Sequence, residues 1–112
     1  MKRIALLGST GSIGKSTLDV IRHLPGECRL TALAARTRWQ EMSEQIREFS
    51  PRRVAMTDPE SREQLSSHSN GTEVLANPAD LVDAEDVDMV VAAITGAAGL
   101  EPGLRALRAG KT

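Results

Sequence analysis

Aromatic residues are almost absent from this chain of 112 residues, which contains one Trp, one Phe and no Tyr. Trp39 and Phe49 therefore offer bases little to stack on, which argues against binding of single-stranded nucleic acid. The chain also has no large excess of either charge, since it contains 14 Lys and Arg and 15 Asp and Glu and its formal net charge is −1. No net field would draw the chain to nucleic acid or to an acidic membrane surface, so any recognition of an anion must be local.

The sequence also lacks a second cysteine and a long apolar run. Cys28 has no partner for an internal disulfide, so a reducing cytoplasm is the expected compartment. The longest apolar stretch covers residues 89–94 and is far too short to cross a membrane. The N-terminus has the pattern of a core strand rather than of a signal peptide. We therefore expect a cytoplasmic protein without a membrane partner.

What the sequence does contain is an alternation of strand and helix patterns over a length that suits one domain. This alternation predicts a Rossmann-like, three-layer α/β fold, with a mainly parallel sheet between helices and without its later strands. The predicted strands are 4–7, 29–35, 53–56, 72–75 and 89–94, and the predicted helices are 12–24, 39–49, 58–66, a short turn from 77, and 100–109. Right-handed crossovers would place strand 89–94 beside the first strand, with its far edge unpaired. We therefore expect the front part of a longer polypeptide, able to self-associate through that edge.

A glycine motif lies between the first strand and the first helix, where Gly8 to Gly14 have the sequence Gly-Ser-Thr-Gly-Ser-Ile-Gly. A glycine turn at this junction is typical of proteins that bind a nucleotide pyrophosphate at the helix N-terminus. We expect Gly8 to permit a tight turn, Gly11 to let a phosphate approach the backbone, and Gly14 to let the helix pack closely against the sheet.

A phosphate-binding P-loop is the rival interpretation, because Gly14-Lys15-Ser16 resembles the end of that motif. The P-loop pattern needs its first glycine at position 9, which is occupied by Ser9. Strand 89–94 also leads into Thr95 rather than into an Asp that could hold magnesium. The dinucleotide interpretation is therefore favoured, and we expect Lys15 to be solvated or at most close to a phosphate.

The residues after the second strand indicate which dinucleotide would bind. An NAD site has an Asp or Glu about 20 residues beyond the glycines, where it accepts hydrogen bonds from the ribose hydroxyls. This chain instead has Arg36, Thr37 and Arg38, and its next carboxylate is Glu41. Two guanidinium groups and a hydroxyl suit a 2′-phosphate, so NADP is predicted over NAD. The alternative is that both arginines are solvated loop charges.

Side-chain spacing makes three further predictions. In the first helix it assigns the core face to Ile13, Thr17, Val20, Ile21 and Leu24. In the second it assigns Trp39, Met42, Ile46 and Phe49 to the core. The acidic residues before strand 89–94 are expected to form a solvated face, on the side of the sheet opposite the glycine turn; they are Asp80, Asp83, Glu85, Asp86 and Asp88.

Beyond the glycine turn, longer stretches resemble a known family. The sequence 7–14, continued by 16–20, closely resembles the N-terminus of the 1-deoxy-D-xylulose 5-phosphate reductoisomerases. Further matches are the stretches 48–52, 72–75, 92–100 and 108–112, so the resemblance covers the whole chain in register. It implies that Thr10, Gly11, Ser12 and Ile13 line the NADPH pyrophosphate and that residues 36–38 face the adenosine 2′-phosphate. Family members commonly have Gly-Lys-Asn there, so which atom contacts the phosphate stays open.

The resemblance also implies an activity and the parts that would perform it. Members of the family convert 1-deoxy-D-xylulose 5-phosphate to 2-C-methyl-D-erythritol 4-phosphate in non-mevalonate isoprenoid biosynthesis, with NADPH and with magnesium or manganese. The metal ligands and the residues that grip the sugar phosphate are implied to lie beyond Thr112, so we expect no catalytic and no metal-binding residue within residues 1–112. The resemblance implies a homodimeric parent enzyme, a loop 94–97 close to the nicotinamide, and a fragment that binds cofactor without catalysis. A free-standing dinucleotide-binding or sensing module is the alternative.

Overall fold

The fold is a five-stranded parallel sheet covered by helices. We describe it from a computed structural model, which covers residues 2–24, 26–69, 71–82 and 85–93. The strands are β1 (Lys2–Leu7), β2 (Cys28–Ala35), β3 (Arg53–Met56), β4 (Glu73–Leu75) and β5 (Met89–Ala92). The helices are α1 (Ser12–Arg22), α2 (Trp39–Phe49), α3 (Pro59–Ser66) and α4 (Ala79–Val82). The predicted α/β fold class and the predicted order of strands and helices along the chain are therefore confirmed for these residues.

The sheet has the order β4-β3-β2-β1-β5, with every pairing parallel. Strand β5 lies beside β1, as right-handed crossovers predict, with Leu7 opposite Ala92. The carboxyl ends of the strands consequently meet at one edge of the sheet. The final residue of predicted strand 89–94 and the whole predicted helix 100–109 lie outside the described residues, as does the loop 94–97.

Two clusters of buried residues hold the layers together, one on each face of the sheet. The cluster beneath α1, α2 and α3 contains Leu6, Leu33, Met42 and Leu65, none of which is measurably exposed. The opposite cluster contains the small side chains of β1, β2 and β3 together with Leu81, Val82 and Val87. Burial on both faces explains why β2 is a nearly continuous apolar run rather than an alternating one. No helix in the described part of the chain is both long and apolar enough to span a bilayer.

The predicted core face of α1 is confirmed at Ile21 and wrong at Ile13 and Val20. The buried residues are Gly14, Leu18 and Ile21, whereas the side chains of Ile13 and Val20 are 61% and 58% exposed. The physical reason is that Gly14 packs against the backbone at the end of β1, and this contact sets the rotation of the helix. For α2 the prediction is confirmed, because Met42 and Ile46 are buried and Trp39 and Phe49 pack against them.

Helix α3 is capped at its first turn. Asp58 is the N-cap and its carboxylate accepts a hydrogen bond from the Ser61 backbone N–H at 3.0 Å, while Pro59 occupies the first helical position. This bond and a second one from the Ser61 hydroxyl lower the pKa of Asp58, and the charge of Arg36 acts in the same direction.

The acidic face predicted before β5 is wrong for two of its residues. The Oδ1 atom of Asp86 accepts a hydrogen bond from Nη1 of Arg53 at 2.8 Å, and the Asp86 side chain is only 13% exposed. Asp88 accepts two hydrogen bonds from the Arg3 guanidinium, both at 3.0 Å, and they hold its pKa well below its usual range. These partners are far away in sequence, so spacing could not reveal them. Asp86 and Asp88 do lie at the amino ends of β1, β3 and β5, opposite the glycine turn, whereas Asp83 is outside the described residues.

Candidate dinucleotide-binding site

The glycine turn leaves β1 sharply and is anchored to the neighbouring strand. Gly8 has a φ of +87°, in the left-handed region that glycine tolerates without strain. The backbone N–H groups of Gly8 and Ser9 both donate to the carbonyl of Ala34, at 2.8 and 2.9 Å. The turn therefore has a fixed position relative to the carboxyl end of β2.

Gly14 is required where the helix passes over the turn. A Cβ atom built there would lie 2.0 Å from the Gly8 carbonyl oxygen and 2.8 Å from the Ser9 Cα. Both are backbone atoms, so no flexible side chain could move aside. The close packing predicted for Gly14 is thus present, and its immediate partner is the turn itself.

The N-terminus of α1 is open to an anion. Its N-cap is Gly11, no side chain of the described residues caps it, and no acidic residue lies in its first turn. The first N–H groups of a helix lack partners within the helix and carry a partial positive charge. A Cβ on Gly11 would meet only the Gly8 carbonyl oxygen, at 3.7 Å, so the space beside Gly11 is free of protein atoms of the described residues.

The structure brings the two predicted binding segments to the same edge of the sheet. Gly8 is half-buried and Thr10 is buried, whereas Gly11, Ser12 and Ile13 are exposed. The segment Arg36-Thr37-Arg38 is exposed and directly follows β2, whose Ala34 pairs with Leu7 of β1. Exposed cations beside an open helix N-terminus can hold an anionic ligand with two separated charges.

The roles of three residues around this edge, Gln45, Glu41 and Asp58, were not predicted. The Gln45 side chain is buried and donates from Nε2 to the Ser9 carbonyl at 3.0 Å, which ties α2 to the glycine turn. Glu41 forms ion pairs with Lys15 (3.0 Å) and with Arg38 (3.6 Å). Asp58 carries a charge near Arg36. Only the Arg38–Glu41 spacing of three residues could have indicated such a contact from sequence, because the others join different elements.

No group of three or more His, Cys, Asp or Glu side chains that could hold a metal ion occurs within residues 2–24, 26–69, 71–82 and 85–93.

Comparison with known proteins decides which family has this site. The profile of the 1-deoxy-D-xylulose 5-phosphate reductoisomerases matches residues 4–112. The chain belongs to this family. A reductoisomerase from Photorhabdus laumondii subsp. laumondii is 48% identical over 118 residues, which cover 99% of this chain and 30% of the relative.

Solved reductoisomerase structures share the fold. One, a complex with NADPH, fosmidomycin and magnesium, superposes with a TM-score of 0.94 at 38% identity, over 99% of this chain and 29% of that one. Another, from Zymomonas mobilis in complex with NADPH, has a TM-score of 0.86 at 31% identity, over 98% of this chain and 30% of that one. The chain thus spans less than a third of the length of these reductoisomerases. The predicted family and Rossmann-like fold are confirmed.

Proposed function

We propose that residues 1–112 form the NADPH-binding domain of a 1-deoxy-D-xylulose 5-phosphate reductoisomerase. The observation that carries the proposal is the uncapped N-terminus of α1 beside the turn that Gly8 and Gly14 make possible. Two solved members of the family with this fold were determined with NADPH. The residues fit such a ligand, because the turn leaves space at Gly11 and the next strand end supplies exposed cations.

The pyrophosphate is assigned to the glycine turn and the first turn of α1. Gly8 shapes the turn, while the backbone of Thr10, Gly11 and Ser12 lies at the helix N-terminus, where N–H groups face a bound anion. Ile13 adds an exposed apolar side chain at the same place, which a bound cofactor would cover.

The adenosine 2′-phosphate is assigned to Arg36, Thr37 and Arg38. Arg36 and Arg38 are exposed and follow β2, at the position where NAD-binding domains carry a carboxylate for the ribose hydroxyls. A guanidinium group offers a planar, permanently charged donor fork to phosphate oxygens. NADPH is therefore preferred over NADH in this proposal.

Replacement of both arginines tests this assignment. In the variant Arg36→Ala, Arg38→Ala we expect NADPH to bind about 10- to 100-fold more weakly, because hydrogen bonds to a charged phosphate are lost. Binding of NADH should change little. Fluorescence titration with each dinucleotide measures both affinities.

A matched control for the double variant is Arg29→Ala, Arg47→Ala, which removes the same charge from exposed positions outside the proposed site. If the control variant weakens NADPH binding as much as the double variant does, the arginines act only through net charge. That result, or unchanged NADPH binding by the double variant, contradicts the assignment.

The activity proposed for the whole protein follows from its family. The substrate is the sugar phosphate 1-deoxy-D-xylulose 5-phosphate, whose skeleton is rearranged and then reduced with hydride from NADPH. A divalent ion, magnesium or manganese, organises the reacting oxygens when it is bound. We assign the metal ligands and the substrate phosphate contacts to parts of the protein outside residues 1–112, so these residues alone should not catalyse the reaction.

The assembly and compartment proposed for the protein also go beyond the described residues. We propose a homodimeric enzyme in the cytoplasm, where Cys28, which has no disulfide partner within residues 1–112, would stay a reduced thiol. Among the described strands, β5 pairs only with β1. Residues 1–112 in isolation should therefore self-associate through the outer edge of β5.

A further inference from the structure

Glu41 joins the two cation-bearing segments of the proposed site. It lies in the first turn of α2. Its Oε2 atom is 3.0 Å from Nζ of Lys15, on α1, and its Oε1 atom is 3.6 Å from Nη1 of Arg38, in the segment that follows β2. One carboxylate thus contacts both Lys15, next to the glycine turn, and Arg38, in the segment assigned to the 2′-phosphate.

The position of Glu41 is one that suits an anion in general. Helix α2 has no side-chain cap at its N-terminus, and a negative charge in the first turn of a helix is favoured by the helix dipole. Glu41 Oε2 is shielded from solvent but has no hydrogen bond of good geometry among the described residues, so its contact with Lys15 is an electrostatic one. The side chains of Lys15 and Arg38 are 51% and 62% exposed. Both cations therefore remain accessible to a ligand.

Pairs of this kind are easily exchanged. An ion pair between partly exposed side chains is weak, because water and salt screen the cations and because two long side chains must be ordered to form it. A phosphate carries up to two negative charges and three acceptor oxygens, so it competes well with a single carboxylate for the same cations.

We propose that Glu41 is a specificity-determining residue, a counterion that the adenosine 2′-phosphate displaces from Lys15 and Arg38. The inference rests on the proposed function above. In the absence of cofactor the Glu41 carboxylate offsets part of the charge of the two cations, and when cofactor binds, both cations contact the phosphate instead, with Lys15 as a further phosphate contact. NADH has no 2′-phosphate and leaves the two ion pairs in place. Glu41 therefore opposes NADPH binding, and its removal favours NADPH selectively.

The test is Glu41→Gln in the full-length protein, titrated with NADPH and with NADH. We expect NADPH to bind about two- to fivefold more tightly, as for the loss of a competing, partly exposed ion pair, and the affinity for NADH to stay unchanged. The matched control is Glu44→Gln, which removes the same charge one turn further along α2. In a Lys15→Gln, Arg38→Gln background the gain from Glu41→Gln should disappear, because the cations through which Glu41 acts are gone.

Each other outcome contradicts a distinct part of the account. Unchanged or weaker NADPH binding by Glu41→Gln overturns the inference, and so does an equal gain from Glu44→Gln. Selective weakening of NADH would show that Glu41 accepts hydrogen bonds from ribose hydroxyls, which also overturns it. A wild-type protein that binds no NADPH overturns the proposed function itself.

Discussion

Replacement of Gly14 by alanine is expected to lower the free energy of unfolding by about 3 kcal/mol, a large part of the stability of a small domain. The added methyl group would lie 2.0 Å from the Gly8 carbonyl oxygen, and its other close neighbours are also backbone atoms at the end of β1. Relief requires α1 to move away from the turn, which disturbs the packing of Leu18 and Ile21. The higher helix propensity of alanine offsets about 1 kcal/mol at most. Chemical denaturation followed by circular dichroism measures the change.

The control for Gly14→Ala is a substitution at Ser12. Ser12→Ala changes an exposed side chain in the same helix without adding a group to the contact, so its stability should stay close to that of the wild type. A Gly14→Ala protein as stable as Ser12→Ala would show that the turn and helix are not in close contact, and the geometry of the site would be wrong.

Replacement of Gly11 by valine should abolish cofactor binding while leaving the fold intact. Gly11 has φ −78° and ψ 173°, an extended conformation that valine adopts readily. Among the described residues, a Cβ there meets one atom, the Gly8 carbonyl oxygen at 3.7 Å, so this part of the fold has room for it. A bound pyrophosphate would occupy that space, and the branched side chain would keep it away from the helix N-terminus. We expect NADPH affinity to fall by about 100-fold or more, which corresponds to loss of two charge-assisted hydrogen bonds.

Measurement of NADPH affinity by titration and of stability by thermal unfolding separates the two effects of Gly11→Val. A normal unfolding midpoint together with lost binding supports the assignment of the pyrophosphate to this turn. Retained NADPH binding in a folded Gly11→Val protein would place the pyrophosphate elsewhere.

The contrast between these two glycines shows how far the sequence could predict the site. The alternation of apolar strands with helical spacing predicted the element order, because each pattern is local. The position of β5 was predictable because crossover connections between parallel strands are almost always right-handed. The positive φ of Gly8 and the cap formed by Asp58 and Pro59 were likewise predictable, since both depend on neighbouring residues. The sequence therefore predicted the position of the glycine turn between β1 and α1 and the tight bend at Gly8.

The sequence could not predict contacts between segments that are distant along the chain. The rotation of α1 was misjudged because apolar spacing admits two overlapping faces, and only the contact of Gly14 with Gly8 selects between them. The pairing of Asp86 with Arg53 and of Glu41 with Lys15 joins residues from different elements, whose distance depends on the whole fold. Gln45 belongs to the same class, because its bond to Ser9 exists only once α2 lies beside the turn.

Titration of the wild-type protein with NADPH and NADH under identical salt conditions tests the NADPH-binding function most directly. We expect NADPH to bind at least about tenfold more tightly, since the 2′-phosphate gains charge-assisted contacts that NADH cannot make. Equal affinities, or tighter binding of NADH, would contradict the assignment of residues 36–38 to a phosphate and with it the proposed NADPH-binding function.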